Sequence, residues 1–297
     1  MKITPYISYD KTPTVLCLGG FDSIHKGHRK VIKKACEIKI KKHLNLAVMT
    51  FDDKSDAIDK FKSVVFTFDE RVKILESLNV DEIISVEFTP EFANKEPIDF
   101  LNEIVDNRLI AAFVCGKDYT FGRLKKGNIA LLKEFCNQKN IELIVPDFER
   151  SDPENKISTA VIKEALKNGD IEKANDYLGT EYFITGKVIH GREVGRIIGF
   201  PTANVEISLQ KAPLKEGVYA TTVLVKDKTY HAITNYGNAP TFGVERVLLE
   251  SYLVGFKGDI YNENIKVNFK KFIRGVVKFE CPEQLIKQLN EDLKVIR

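Results

Sequence analysis

The sequence predicts two domains: an α/β domain with a parallel sheet, followed by a small all-β barrel that ends in one helix. In the first half of the chain, apolar strand-like runs alternate with segments of helical spacing. After Tyr182 the pattern changes to short alternating runs separated by turns. The length of 297 residues suits two domains of ordinary size. We therefore place the domains at residues 1–181 and 182–297.

The α/β domain is predicted from regular alternation of strands and helices. Alternation of this kind favours parallel strands covered by helices, because each crossover connection is long enough to contain a helix. Ligands of such sheets bind beyond the carboxyl ends of the strands, where the Gly-rich turn at residues 19–20 lies. The predicted strands are 14–20, 44–51, 80–88, 109–116 and 141–148, and the predicted helices are 26–40, 69–78, 96–107 and 128–140.

The second half predicts helices at its two ends and strands between them. Residues 157–180 have the pattern of two short helices that end at Gly169 and Gly179. Residues 281–296 predict a closing amphipathic helix with Pro282 in its first turn. The alternating runs between them favour an antiparallel barrel; they are YFITGKVIH, GVYATTVLV, TYHAITNYG, VLLESYLVGF and IKVNFKKFIRGVVKF.

Composition narrows the class of protein. Forty-five basic and 42 acidic residues give a net charge of only +3, which argues against nucleic-acid binding as the main role. Five scattered cysteines without a CxxC pair indicate reduced thiols in a cytoplasmic protein, not a disulfide framework or a zinc site. The N-terminus lacks the apolar region of a signal peptide, and the longest apolar run, LIAAFVC, is too short to cross a bilayer. We expect no nucleic-acid or membrane partner, and self-association stays open.

The stretch GGFDSIHKGHRK, residues 19–30, joins the first buried strand to the first long helix. Glycines there let a phosphate approach backbone N–H groups, and the helix N-terminus adds partial positive charge. The three-residue spacing places His25 and His28 on one side of the first turn, where their imidazoles can donate to phosphate oxygens. Gly27 leaves room for a nucleotide. The arrangement fits attack on an α-phosphate without a covalent enzyme intermediate.

This stretch resembles the GxFDxxHxGH string of the nucleotidyltransferase superfamily, and most closely the FMN adenylyltransferase module of bacterial FAD synthetases. GKDYTFG at residues 116–122 supports the narrower resemblance. The resemblance implies a Rossmann-like fold with His25 and His28 as catalytic residues. Residues 156–163 correspond to a late phosphate-binding motif of that family in altered form. The nucleotide- and phosphate-binding residues implied are Gly19, Gly20, Phe21, Asp22, Gly27, Asp118, Lys156, Ser158, Thr159 and Lys163.

A second string, GFPTAN at residues 199–204, carries the hard oxygen ligands that suit Mg²⁺. By itself the PTAN tetrapeptide fits an ordinary turn equally well. GVYA, NYGNAPTFG, LLESYLVGF, DIYN and FIRGVVKF follow it in the order found in riboflavin kinases, which this region resembles over nearly all of residues 182–297.

The kinase resemblance implies a six-stranded Greek-key-like barrel and a second set of site residues. Thr202 and Asn204 would hold Mg²⁺ with ATP, and Gly199 and Pro201 would contact the nucleotide. Glu250 would be the catalytic base, because a primary hydroxyl is a poor nucleophile until a carboxylate takes its proton. Asn235, Tyr236 and Arg274 would bind the flavin, although Arg274 could equally cap the barrel.

The two resemblances together predict a bifunctional enzyme of flavin nucleotide synthesis. Riboflavin and ATP would give FMN and ADP in the second domain, and FMN and ATP would give FAD and pyrophosphate in the first. Both steps would need Mg²⁺, with FMN and FAD as products and not prosthetic groups. One alternative is a kinase with an impaired first domain, because Lys156, Ala160 and Lys163 replace an arginine, a threonine and an arginine of the family motif. The other is a flavin-sensing regulatory protein that binds without turnover.

Overall fold

The computed structural model describes residues 1–53, 63–146, 157–191, 199–241 and 244–296. Contacts divide the chain into two compact units, Met1–Thr159 and Ala160–Arg297. The predicted boundary at residue 181 groups residues 160–181 with the α/β domain, whereas their contacts group them with the second unit. That boundary stays a prediction.

The first unit contains one sheet of six parallel strands in the order β1-β4-β3-β2-β5-β6. The predicted parallel α/β architecture is confirmed, with an additional edge strand, β1, and a one-turn helix, α3, that the sequence pattern did not predict. The strands are β1 (Lys2–Pro5), β2 (Asp10–Leu18), β3 (Asn45–Phe51), β4 (Glu82–Val86), β5 (Arg108–Cys115) and β6 (Glu142–Ile144). The helices are α1 (Lys26–Lys42), α2 (Phe68–Ser77), α3 (Pro90–Ala93), α4 (Pro97–Asn107) and α5 (Ile129–Lys139).

The strand order reverses between β2 and β5, which are neighbours at the centre of the sheet. The chain passes from β2 to β3 and β4 on one side, and then to β5 and β6 on the other. Both central strands are fully buried at their middles, for example at Leu16 and Phe113. Glycines follow both strands, at Gly19 after β2 and Gly116 after β5. This reversal opens a crevice at the carboxyl edge of the sheet, the usual place for a ligand in such folds.

The amino edge of the same sheet is closed by a buried ion pair. Arg108, the first residue of β5, donates from Nη1 to Glu82 Oε1 at 2.9 Å. Its Nη2 donates to Thr4 Oγ1 at 2.8 Å, so β1, β4 and β5 are joined at one point. Both charged side chains are at most 3% exposed. Removing one partner of such a pair leaves an uncompensated buried charge, which typically costs about 3–5 kcal/mol of stability.

The second unit is a closed antiparallel barrel of six strands in the order β10-β11-β8-β7-β12-β9. The predicted barrel and C-terminal helix are confirmed, and Gly169 and Gly179 follow the two predicted short helices with positive φ angles of 79° and 68°. The strands are β7 (Phe183–Ile189), β8 (Thr202–Glu206), β9 (Gly217–Val225), β10 (Lys228–Thr241), β11 (Val244–Leu253) and β12 (Asn264–Arg274). The helices are α6 (Thr159–Asn168), α7 (Ile171–Leu178) and α8 (Pro282–Lys294).

Three buried hydroxyl groups cross the inner face of the barrel. Thr221 on β9 donates to the Ala232 carbonyl at 3.1 Å, and its Oγ1 lies 2.7 Å from Thr234 Oγ1 on β10. Thr234 Oγ1 in turn lies 2.8 Å from Ser251 Oγ on β11. Each hydroxyl has one proton, so Thr234 must donate to Thr221, and Ser251 must donate to Thr234. We call these three residues the hydroxyl ladder.

Helix α8 packs on the outside of the barrel through an ion pair and apolar contacts. Arg274 at the end of β12 donates to Asp292 from Nε at 3.0 Å and from Nη2 at 2.7 Å. Leu293 of α8 packs in a buried cluster with Val218 and Ile233 of the barrel. In the part of the chain that the structure describes, neither α8 nor any other helix is long and apolar enough to span a membrane.

Candidate active sites

The first unit contains a cavity of about 1040 Å³ at the carboxyl edge of its sheet. Of the residues predicted to bind nucleotide there, Lys163 lies on α6 and does not line the cavity, and Lys156 lies outside the described residues. The cavity brings together the other predicted residues, Gly19, Gly20, Phe21, Asp22, His25, Gly27, His28, Asp118, Ser158 and Thr159. Motifs that are more than a hundred residues apart in sequence therefore meet in one place.

His25 and His28 form a stacked pair at the start of α1. His25 is the N-cap of the helix, and its Nδ1 accepts a hydrogen bond from the His28 backbone N–H at 3.3 Å. The two rings lie nearly parallel, with their centroids 3.8 Å apart. A Cβ atom on Gly27 would lie 2.9 Å from Cε1 of His25, so glycine is needed there for the imidazole to pack against the helix.

Both imidazoles are neutral at physiological pH. Burial lowers the pKa of His25 to about 4. Burial, and secondarily the neighbouring His25, lowers the pKa of His28 well below its ordinary value. Because His25 Nδ1 accepts a hydrogen bond, the proton of its neutral ring is on Nε2. The pair can thus contribute directed N–H donors to a ligand, without adding two positive charges.

The loop between β2 and α1 is strained and compact. Phe21 and Ile24 have φ angles of 47° and 42°, a region that residues other than glycine rarely occupy. The Phe21 ring is buried, packs over the backbone of Gly19 and contacts His28 with ring centroids 4.8 Å apart. Such conformations persist only where the surrounding structure holds them, and they are frequent at active sites.

Side-chain hydrogen bonds tie this loop to distant parts of the first unit. Asp22 Oδ1 accepts from the Val65 backbone N–H at 2.8 Å. The hydroxyls of Ser23 and Thr159 lie 2.9 Å apart, which joins the loop to the segment predicted to bind phosphate. Asp22 is therefore a structural anchor of the loop in addition to lining the cavity.

An aromatic wall lines one part of the cavity and was not predicted from the sequence. Some of its rings contact each other edge to face, such as Phe51 and Phe88 with centroids 5.1 Å apart, whereas Tyr119 and Phe121 are stacked with centroids 5.5 Å apart. The wall offers a broad apolar surface that suits a flat aromatic ligand. The sequence has 19 phenylalanines, but it does not indicate which of them contact one another, because the members of the wall come from four separate segments. They are Phe51, Phe88, Phe92, Phe100, Tyr119 and Phe121.

The second site lies on the barrel, where three predicted residues form one row. In the register of the sheet, Asn235 of β10 is opposite Glu250 of β11, and Glu250 is opposite Asn204 of β8. Residues directly opposite each other project from the same face of a sheet, so the three side chains are neighbours. Thr202 is on that face too, two residues before Asn204. Asn204 is buried and Asn235 is half-buried, whereas Glu250 between them is exposed, so the most accessible side chain is at the centre of the row.

Asn204 is held by very close packing against Gly191. A Cβ atom on Gly191 would lie 2.2 Å from Nδ2 and 2.5 Å from Cγ of Asn204. The amide side chain of Asn204 thus lies directly against the bare backbone after β7. Only glycine at position 191 leaves the space that this orientation of Asn204 requires.

The remaining predicted residues of the barrel have different surroundings. Gly199 has a φ angle of 83° and precedes the half-buried Phe200 and exposed Pro201. The buried Tyr236 hydroxyl accepts from the Leu214 backbone N–H at 3.2 Å, and burial raises its pKa. Arg274 is paired with Asp292 of α8, as described above. The predicted nucleotide and flavin contacts of these residues stay predictions.

Comparison with known protein families covers both units. A family model described as FAD synthetase matches residues 7–160, and one described as riboflavin kinase matches residues 178–297. The chain belongs to the bifunctional riboflavin kinase/FMN adenylyltransferase family. The family predicted from the two sets of motifs is confirmed, and so is its arrangement, with the adenylyltransferase part first and the kinase part second.

Curated members of the family match this chain over nearly its full length. The bifunctional riboflavin kinase/FMN adenylyltransferase of Bacillus subtilis strain 168 is 34% identical over 293 residues, covering 96% of this chain and 92% of its own. The corresponding protein of Escherichia coli K12 is 31% identical over 283 residues, covering 94% and 90%.

A crystal structure with the same architecture is also known. It is described as a macrolide-efflux protein from Streptococcus pneumoniae, and it is 30% identical with a TM-score of 0.89. It covers 100% of this chain, and this chain covers 99% of it. The description as an efflux protein applies to that structure alone. Both family models assign this chain to flavin nucleotide enzymes.

Proposed function

We propose that this protein makes FMN from riboflavin at the barrel and FAD from FMN at the cavity of the first unit, with ATP as co-substrate of both reactions. The observation that carries the proposal is the assembly of the GGFD loop and the stacked histidine pair around one large cavity. The family models support the order of the two activities along the chain.

In the first unit, the reaction is transfer of AMP. An oxygen of the FMN phosphate attacks the α-phosphorus of ATP, the bond to the bridging oxygen breaks, and pyrophosphate leaves. Backbone N–H groups of the loop and the N-terminus of α1 stabilise charge on the phosphates. His25 donates from Nε2–H to a phosphate oxygen, with His28 stacked behind it. The aromatic wall binds the isoalloxazine ring.

In the barrel, the reaction is transfer of the γ-phosphoryl group of ATP to the primary hydroxyl of riboflavin. Glu250 takes the proton of that hydroxyl as its oxygen attacks phosphorus, and ADP leaves. Asn235 is directly opposite Glu250 in the sheet, where its amide can orient the same hydroxyl. The exposure of Glu250 leaves room for the substrate to approach.

The proposal includes Mg²⁺ at the barrel. Thr202 and Asn204 offer neutral oxygen ligands from one face of β8, and the packing of Asn204 against Gly191 limits its freedom to turn away. Among the described residues no cluster of three or more His, Cys, Asp and Glu side chains could hold a metal by itself. Thr202 and Asn204 supply two neutral oxygens, a donor set that suits an ion shared with substrate phosphates. When bound, Mg²⁺ would neutralise charge on the transferring phosphates.

The remaining parts of the proposal concern the setting of the enzyme. The five cysteines are all unpaired, which supports a reducing cytoplasmic environment. The partners proposed are the small molecules riboflavin, FMN and ATP, with no nucleic acid or membrane among them, and self-association stays open. We keep residues 1–181 and 182–297 as the proposed functional domains.

The test separates the two activities within one chain. Purified protein is incubated with riboflavin, ATP and Mg²⁺, and the flavins are separated by chromatography. Substitution His28→Ala should abolish FAD formation and leave FMN formation unchanged. Substitution Glu250→Ala should abolish FMN formation, yet FAD should still form when FMN is supplied. Loss of both activities in either folded variant would contradict the assignment of one reaction to each unit.

The same assay decides between the proposal and its alternatives. FMN without FAD from the unaltered protein would indicate an impaired adenylyltransferase, in line with the replaced residues of the 156–163 motif. Formation of neither product would leave a flavin-binding protein without turnover.

A further inference from the structure

We propose that Arg71 is a positioning residue for AMP transfer, because it holds the Gly20 carbonyl, in the loop between β2 and α1, through the hydroxyl of Thr50. This inference rests on the proposed use of the cavity as the adenylylation site. Arg71 belongs to no motif described above.

Arg71 is placed by the start of α2. Thr67 caps this helix in a reciprocal capping box with Glu70, which fixes the first turn and the direction of the next side chain. Arg71 follows at once, is 2% exposed and points to the carboxyl end of β3. There its Nη1 donates to Phe51 O at 2.6 Å, and its Nη2 donates to Asp53 Oδ1 at 2.7 Å.

The hydrogen bonds from Arg71 to the loop have one possible direction. Arg71 Nη1 also donates to Thr50 Oγ1 at 2.7 Å, and Thr50 Oγ1 donates to Gly20 O at 2.8 Å. A guanidinium group has no acceptor, so Thr50 must accept from Arg71 and use its single proton for Gly20. Thr50 is buried, so bulk water does not compete for either bond. The three residues form a relay that starts on a fixed positive charge, which strengthens each bond in the series.

The relay sets the orientation of the peptide that joins Gly20 to Phe21. In a trans peptide the carbonyl and the N–H point in opposite directions, so pulling Gly20 O toward Thr50 turns the Phe21 N–H away from it. Gly20 and Phe21 both line the cavity, and Phe21 has the strained φ angle of 47°. The relay thus holds an unfavourable backbone conformation in which the loop offers an N–H group to a phosphate.

The chain contains a matched residue that separates positioning from stability. Arg108 is a second buried arginine of the same unit, and it too contacts a carboxylate and a threonine, Glu82 and Thr4. It lies at the amino edge of the sheet, away from the cavity, and does not line it. Loss of Arg108 should lower stability as loss of Arg71 does, with no effect on the loop.

The experiment compares Arg71→Met, Thr50→Val, their double variant and Arg108→Met. Steady-state AMP transfer is measured at varied ATP, with thermal unfolding to obtain the folded fraction and riboflavin phosphorylation as a control in the same protein. We expect Arg71→Met and Thr50→Val each to raise KM for ATP and to lower kcat/KM by about tenfold or more. Because both act through one relay, the double variant should be no more impaired than either single variant.

A merely structural role predicts a different result. Fewer folded molecules lower the apparent kcat of AMP transfer and leave KM for ATP unchanged, which is the behaviour expected for Arg108→Met. Should Arg71→Met fail to fold, Thr50→Val tests the same relay without removing the charge. Guanidinium ion added to Arg71→Ala should restore part of the lost kcat/KM, since it can donate to Thr50 in place of the side chain.

The outcomes also separate this inference from the function on which it rests. If His28→Ala retains AMP transfer, the proposed site is wrong. If His28→Ala loses AMP transfer while Arg71→Met and Thr50→Val keep KM for ATP within about twofold of the parent, the relay has no positioning role. Additive losses in the double variant would likewise overturn the relay.

Discussion

Substitution of Gly191 by alanine should disable the kinase reaction selectively. The new Cβ would lie 2.2 Å from Nδ2 and 2.5 Å from Cγ of Asn204. Asn204 is buried and is the proposed metal ligand next to Glu250, so its amide must turn or the backbone at Gly191 must move. Ordinary van der Waals contact begins at 3.4 Å, so the atoms must separate by about 1.2 Å.

A displacement of this size is large for catalysis. A misplacement of about 1 Å in groups that position reactants can cost about a hundredfold in rate. We therefore expect kcat/KM for riboflavin phosphorylation to fall by about two orders of magnitude in Gly191→Ala, equivalent to about 3 kcal/mol of transition-state stabilisation. Higher Mg²⁺ should recover part of the loss if the displaced Asn204 oxygen is a metal ligand.

The assay is initial-rate FMN formation at varied ATP and Mg²⁺, followed by chromatography. Gly275→Ala is the matched control, because a Cβ atom at that position would have nothing within 4 Å. FAD formation from supplied FMN reports on the integrity of the rest of the chain. If FMN formation by Gly191→Ala stays within about twofold of Gly275→Ala, then the orientation of Asn204 does not matter and the reasoning is refuted.

Three further predictions concern other parts of the molecule. The unfolded chain protonates His25 near pH 6.5 and the folded protein near pH 4, so the unfolded state binds more protons between these values. The free energy of unfolding should therefore fall as the pH drops from about 6.5 to 4, by about 3 kcal/mol in total. Urea titrations at each pH measure this, and His25→Gln should remove that part of the dependence. In Gly20→Ala the Cβ would meet nothing within 4 Å, so thermal stability should be unchanged, whereas KM for ATP in AMP transfer should rise because the methyl group lies beside the cavity. Unchanged KM would place the phosphates elsewhere. Asp292→Asn should destabilise the barrel by about 3 kcal/mol in denaturant unfolding, because Arg274 loses its buried counter-charge. A loss below about 1 kcal/mol would mean that α8 is held by apolar contacts alone.

The grouping of the first site was predictable from sequence because of one topological rule. Carboxyl ends of parallel strands meet at one edge, so Gly20, His25 and Asp118 had to converge once the strands were recognised. The strand β8 was not predicted, because Gly199 and Pro201 mark a turn and the strand that follows has only five residues. The alternative that PTAN is an ordinary turn does not hold for Thr202 and Asn204, because both lie on a strand, and this is what aligns them with Glu250.

Other parts of the site depend on tertiary structure that a pattern cannot contain. Arg71 lies in a charged, amphipathic helical segment, where an arginine is ordinarily exposed. Its burial follows from the position of β3 next to α2, and not from any local spacing. The low pKa of His25 likewise comes from burial in the folded loop, so its neutral state could not be inferred from the sequence.

The hydroxyl ladder determines more than the interior of the barrel. Thr234 and Ser251 are opposite each other in the sheet, and the next pair along the same two strands is Asn235 and Glu250. Sliding β10 by one residue against β11 would break the ladder and would also turn the outward row inward. The inner hydroxyls therefore fix the register of β10 against β11, and this register sets which side chains are neighbours on the outer face. The alignment of the proposed base with its neighbours is specified from the opposite side of the sheet, by residues that never meet the substrate.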